Sequence, residues 1–247
     1  MKTYPFLILL SMIFGQSAVA QSLQEIDYQE KQQKLKGLVT SNSGKALPGV
    51  LILPAWKGID QEAKDAALSL EKEGYIAFIA DIYGVGNTPA DNAAASKISS
   101  SYKTDYKAYQ ARIQAALEAL KQQGATDIAV IGYCFGGTGA LEAARANMDV
   151  QAAVCIHGSL AKAADRTNTV IKPSVLVLHP ADDASVSKAD YDGLQLELNE
   201  SKADWQVITY AHSKHTFTNP ESADYNELMA KRAWEHTLLF LKEKLIK

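Results

Sequence analysis

The chain has 247 residues, 47% of them hydrophobic and 21% charged, which suits one well-packed domain and leaves no room for two large ones. A formal net charge of −3 gives no electrostatic footprint for nucleic acid or anionic lipid, so the expected partner is a small-molecule substrate. With two cysteines and no HExxH or CxxC spacing, neither a disulfide framework nor a metal or organic cofactor is expected.

Residues 1–20, "MKTYPFLILLSMIFGQSAVA", place Lys2 before an apolar run from Pro5 to Gly15 and end on the small-residue pattern Ala18-Val19-Ala20. That is the layout of a cleaved secretory signal, and the run is shorter than the roughly 20 residues a membrane span needs. Cleavage after Ala20 leaves residues 21–247 as the expected domain, one unit more negative because the segment holds one Lys and no acid. No cysteine follows the cleavage site to carry a lipid, so the expected location is periplasmic or secreted, with no membrane anchor.

Residues 21–34 are polar and fit a loose arm or an edge strand, whereas "LPGVLILPAW" (47–56) is a short apolar run closed by turn residues, the mark of a buried strand. Helical spacing follows over 60–73, then a second strand signature in "YIAFIADIYG" (75–84). A Gly/Asn/Pro/Ser loop is expected over 84–101 and an amphipathic helix over 102–123, ended by Gly124. The alternation continues with strands "DIAVIGYC", "VQAAVCIHG", "PSVLVLHP" and "WQVITYAH", and with helices at "ALEAARA", 186–201 and 222–246. Strands alternating with helices predict right-handed crossovers and a mainly parallel sheet with helices on both faces.

The stretch "IGYCFGGTGALEAA" then becomes informative. Gly-x-Cys-x-Gly at a strand-to-helix junction is the nucleophile-elbow pattern with cysteine in place of serine, and side chains at Gly132 and Gly136 would collide with so sharp a turn. Gly137 allows close packing as the helix begins. Cys134 would stand at the positive end of that helix, where exposed N–H groups favour a thiolate, and the Phe135 N–H would face a developing oxyanion. A phosphate loop fits less well, because GYCFGG has neither GK[ST] nor the GxGxxG spacing.

A thiol nucleophile needs a base, and the base an orienting acid, in the chain order nucleophile, acid, histidine. "VLVLHPADDASV" offers Asp182 and Asp183 just past a strand end, and the residues alone barely separate them. Of the five histidines, His212 and His215 follow the last strand, and His215, before an aromatic and a turn, is the expected base. His236 falls mid-helix, and His157 and His179 at strand ends read as satisfied core-edge groups more than pocket-lining ones. Cys155, inside an apolar run, is expected to be a buried, inert free thiol.

The blocks "PGVLILPAWKGID", "GYIAFIADIYG", "IAVIGYCFGG", "VCIHGSL", "VLVLHPADD" and "HTFTNP" resemble, in order, the dienelactone hydrolase family of α/β-hydrolases. The resemblance implies a single-domain α/β-hydrolase fold and a Cys134–His215–Asp183 triad, the acid chosen because the G-x-x-D-x-x-V block lines up with Pro180, Asp183 and Val186. It also implies an oxyanion hole from the backbone N–H groups of Phe135 and Trp56. Three positions depart: Ala55 stands where the family has a glutamate facing the thiol, and Val85 and Asn219 stand where dienelactone hydrolase has the arginines that grip a substrate carboxylate. Lys57, Tyr83 and Phe217 are candidate substrate contacts, with Trp56, Phe135 and Lys214 beside them. The expected activity is hydrolysis of an ester, thioester or lactone without a cofactor. The rival readings are a redox protein using Cys134 with Cys155, and a non-catalytic binding module suggested by Ala55.

Overall fold

A computed structural model describes residues 22–163 and 165–246, so the expected signal segment lies outside the described residues. Among the described residues, eight strands, β1 (Leu23–Glu30), β2 (Gln33–Thr40), β3 (Leu47–Leu53), β4 (Ile76–Ile79), β5 (Ala125–Tyr133), β6 (Ala152–Ile156), β7 (Ser174–Pro180) and β8 (Trp205–Tyr210), form one sheet in the order β1-β2-β4-β3-β5-β6-β7-β8. The pairings β1·β2 and β2·β4 are antiparallel and the remaining five are parallel. The described residues also form six helices: α1 (Gln61–Lys72), α2 (Asn92–Thr104), α3 (Tyr106–Gln122), α4 (Phe135–Arg145), α5 (Lys188–Glu200) and α6 (Glu227–Leu245).

The continuous apolar runs follow from burial of both sheet faces. Val50 and Ile52 point into a core shared with Ala63, Ala67 and Leu70 of α1 and Leu241 of α6, while Leu51 and Leu53 point into a second core shared with Ile113 and Leu117 of α3. Because successive side chains of a strand leave opposite faces, a strand covered on both sides has no place for a polar residue.

Two local expectations change. The polar segment 21–34 is an edge strand and not a loose arm, since β1 pairs only with β2 among the described residues, and Gln33 to Thr40 form a second strand that periodicity missed. The expected loop over 84–101 contains the start of a helix, since the Asp91 carboxylate accepts the Ala94 N–H at 2.8 Å and caps α2. Asp105 then ends α2 and caps α3, accepting the Ala108 N–H at 3.0 Å, so the long amphipathic stretch becomes two helices.

The carboxyl ends of β3, β5, β6, β7 and β8 share one edge of the sheet, the position where open α/β sheets bind ligands. A buried ionic cluster braces the neighbouring segments. Arg145 at the end of α4 is bidentate to Glu197 of α5 (2.9 and 2.8 Å) and also reaches Glu142 (2.9 Å) and the Leu160 carbonyl (3.2 Å). Arg166, in the connection from β6 to β7, binds both oxygens of Glu142 (2.8 and 3.0 Å) and lies 3.7 Å over the Tyr106 ring.

Candidate active site

Cys134 sits between β5 and α4 with φ 53° and ψ −111°, a left-handed backbone that a non-glycine residue holds only under constraint, typically at a cost of about 1–3 kcal/mol. The glycines make this turn possible: a Cβ at Gly132 would lie 1.9 Å from the Gly136 carbonyl oxygen, one at Gly136 would lie 2.0 Å from that of Leu53, and one at Gly137 would lie 2.8 Å from that of Ile156. The end of β3 therefore packs directly on the elbow. Phe135 is clamped by Tyr109, whose ring stacks on it at 4.5 Å and whose hydroxyl donates to the Phe135 carbonyl at 3.0 Å.

The three residues expected to work together are adjacent. Cys134 Sγ is 3.0 Å from His215 Nε2, and His215 Nδ1 is 2.9 Å from Asp183 Oδ2. Asp183 is the buried carboxylate of its pair, whereas Asp182 is exposed with its N–H on the Ser213 carbonyl. Burial opposes the Asp183 charge, but hydrogen bonds from His215 and Ser185 outweigh it and hold the carboxyl down at about 2. Burial likewise works against a charged His215, yet its contacts with Asp183 and Cys134 win and lift it to about 10. An imidazolium therefore faces the sulfur at neutral pH, with Asp183 and Cys134 both favouring its charge.

Ser185 belongs to this group although no motif singles it out. Its hydroxyl donates to Asp183 Oδ1 at 2.6 Å, its N–H reaches the same oxygen at 2.9 Å, and the hydroxyl is 3.1 Å from His215 Nδ1. Such contacts follow from the turn after β7, and a loop serine carries no mark of them.

The candidate oxyanion donors both lie at this edge. Phe135 opens α4, where first-turn N–H groups have no intrahelical acceptor. Trp56 follows β3, and its carbonyl is held by the Tyr83 hydroxyl at 2.7 Å.

The candidate substrate contacts separate. Lys57 is exposed, while Tyr83 is buried and stacks on Phe135 at 5.8 Å, bracing the loop after β3 through its bond to the Trp56 carbonyl. Phe217 is 0% exposed, packed on Tyr210 at 5.2 Å and His157 at 5.9 Å, so it is a core residue and not a substrate rim. Lys214 pairs with Asp224 at 3.6 Å, and Asn219 accepts the Glu221 N–H at 2.9 Å. Val85 is exposed. A cavity of 410 Å³ lies behind the elbow, lined by Tyr133, Ile156, Thr218 and Glu62; a second, of 540 Å³, borders Ser185, Val186, Tyr102 and Thr138.

His157 is, as expected, a satisfied core-edge group, but its partners were not foreseen. Its Nδ1 is 3.1 Å from the Cys134 N–H nitrogen and its Nε2 2.8 Å from Thr218 Oγ1, which donates to Glu62 Oε1 at 2.6 Å. Burial, with His215 nearby, holds His157 down at about 3 and therefore neutral. Burial pushes the Glu62 carboxyl up to about 7 despite the Thr218 bond. Cys155 is fully buried, its thiol pushed up to about 12, and neither cysteine is in a disulfide.

The sheet order and the strained strand-to-helix turn define an α/β-hydrolase. Within that class, the model of the dienelactone hydrolase family matches residues 35–245, and the chain belongs to that family. A Bradyrhizobium protein named "Probable 2-oxo-3-(5-oxofuran-2-ylidene)propanoate lactonase" is 27% identical over 209 residues, 79% of this chain and 84% of its own. An uncharacterized Caenorhabditis elegans protein is 33% identical over 144 residues, 53% of this chain and 91% of its own. Among solved structures, a dienelactone hydrolase-like promiscuous phosphotriesterase from metagenomic libraries is 31% identical with a TM-score of 0.84, covering 92% of this chain and 99% of that one.

Proposed function

We propose that the protein hydrolyses a carboxylic ester, thioester or lactone through Cys134, His215 and Asp183. The observation that carries this reading is the sulfur 3.0 Å from His215 Nε2 with Asp183 2.9 Å from the other ring nitrogen. Sγ adds to the carbonyl carbon while its proton is held on His215 Nε2, giving a tetrahedral oxyanion that accepts from the Phe135 and Trp56 N–H groups. Collapse breaks the bond to the leaving oxygen or sulfur, which takes the proton from His215 and leaves an acyl thioester on Cys134. Water, losing its proton to His215, adds to the thioester, and collapse returns the acid and the thiol. Asp183 fixes the ring throughout and stabilises its charged form.

Membership of the family and the lactonase relative support lactones and esters as the substrate class. Val85 and Asn219 place no guanidinium where two would grip a carboxylate, which favours a neutral substrate over a dienelactone. Cys155 gives a redox cycle no support, since a thiol this buried does not ionise to act as a resolving group. Residues 1–20 support export with cleavage after Ala20.

A panel of p-nitrophenyl esters, short thioesters and simple lactones, offered to protein recovered from the exported fraction and checked by mass for a start at residue 21, tests these readings together. Turnover that falls to background in Cys134→Ala is expected. A free, alkylatable thiol with no turnover on any member would count against hydrolysis.

A further inference from the structure

The hydrogen-bond chain behind the elbow has a direction. The Cys134 N–H is shared between the Ile156 carbonyl (3.0 Å) and His157 Nδ1 (3.1 Å), so Nδ1 must present a lone pair. In a neutral imidazole the proton then sits on Nε2 and is donated to Thr218, whose own hydroxyl donates to Glu62. Four residues, from just past the ends of β5 and β6, from the loop after β8 and from α1, are thereby joined.

We propose that Thr218 and Glu62 hold His157 in the tautomer that accepts the Cys134 N–H, so that the three act as positioning residues for the backbone of the nucleophile. The proposal rests on Cys134 being that nucleophile. A strained φ of 53° persists only where its surroundings over-determine it, and the His157 ring supplies one of the two acceptors that do so. The other tautomer would turn an N–H toward the Cys134 N–H and push the elbow out of shape.

Glu62 decides which tautomer is favoured. As a carboxylate it can only accept, which commits the Thr218 hydroxyl to it and leaves the Thr218 oxygen to receive the His157 proton. Once protonated, it can donate to Thr218, freeing that hydroxyl to turn toward Nε2 and reverse the chain. Glu62 also borders the 410 Å³ cavity, through which it exchanges protons with solvent. The charged or titratable groups around it are Asp60, which caps α1, Asp65 on α1, Tyr133 on β5, and Tyr225, Glu227 and Lys231 from α6 and the loop before it. His157 itself faces His215 at 5.3 Å, Asp183 and Tyr133. Ionisation of Glu62, with its carboxyl at about 7, then makes elbow ordering increase with pH through neutrality.

The test follows Cys134 alkylation by iodoacetamide on both sides of neutrality, which requires no ester substrate, together with nitrogen NMR of histidine-labelled protein. Wild type is expected to show His157 as the Nε2–H tautomer at alkaline pH and a step in reactivity near pH 7. That step should be absent in Glu62→Gln, whose amide oxygen accepts but does not titrate. Thr218→Val should slow alkylation by about tenfold, the worth of one neutral hydrogen bond, and Thr218→Ser should restore it. On any substrate found, the same loss should appear in kcat with KM unchanged. The proposal is overturned if His157 is the Nδ1–H tautomer, if the step survives in Glu62→Gln, or if folded Thr218→Val reacts like wild type. Failure of hydrolysis itself shows differently, as no turnover by a wild type that alkylates normally.

Discussion

At the scale of single residues, the site works by placing charges so that each favours the next. Asp183 has a side chain with 0% exposure, and it stays ionised only because Ser185 and His215 supply the hydrogen bonds that water would otherwise supply. Asp183→Asn keeps the shape but presents an NH₂ or an amide oxygen in place of a charge. The histidine loses the partner that stabilises its charged form and turns an N–H toward the sulfur in the wrong tautomer. We expect kcat to fall by about 10³–10⁴-fold with KM little changed, as removal of the charged member of a triad does, measured on the best substrate of the panel. A fall below tenfold would mean that His215 does not depend on Asp183. Cys134, Asp183 and His215 were legible as candidates because nucleophile, acid and base follow the strands in a fixed order. Phe217 could be rim or packing on sequence alone and belongs to the core, since an aromatic beside a loop histidine looks the same in sequence whether it faces a pocket or the core.

At the scale of elements, the elbow is a contact between backbones. β5 turns into α4 within one residue, and the end of β3, which carries the candidate donor Trp56, rests on that turn with no room for a methyl group at Gly136. Gly136→Ala would set a Cβ 2.0 Å from the Leu53 carbonyl oxygen and therefore push β3 away from α4. The expected result is a destabilisation of at least about 3 kcal/mol in urea unfolding and a loss of activity exceeding the loss of folded protein, because the two oxyanion donors separate. Wild-type turnover in Gly136→Ala would show that the gap between β3 and α4 is not set at this contact. The motif spacing announced this need for glycine, whereas the helix over 92–104 stayed hidden. Asp91, two residues before a run of three alanines, is a good N-cap, but the Gly-, Asn- and Pro-rich residues around it make the segment read as a loop.

At the scale of the molecule, the sheet brings chain-distant segments to one edge, and the ionic cluster of Arg145, Glu142, Glu197 and Arg166 ties α4, α5 and the β6–β7 connection together beneath it. Arg145→Ala would leave Glu197 without its bidentate partner in a buried setting. Truncating one member of such a pair costs about 3–5 kcal/mol, and urea unfolding should register it; a loss below 1 kcal/mol would mean that water or Lys162 replaces the guanidinium.

What the sequence determined by itself is whatever local chemistry dictates: the alternation of buried strands and helices, the glycine-framed turn around Cys134, and the order in which acid and base follow it. These are short-range consequences of steric room and of apolar runs, and they are visible one segment at a time. The tertiary structure alone decided that Ser185 joins Asp183 and His215, that Phe217 belongs to the core, and that Glu62, Thr218 and His157 meet beside Cys134. Each of these depends on the angle at which a loop leaves its strand and on a neighbour as many as 156 residues away, as Glu62 is from Thr218. No periodicity or spacing carries that information, because the contacts exist only once the sheet has set its strands side by side.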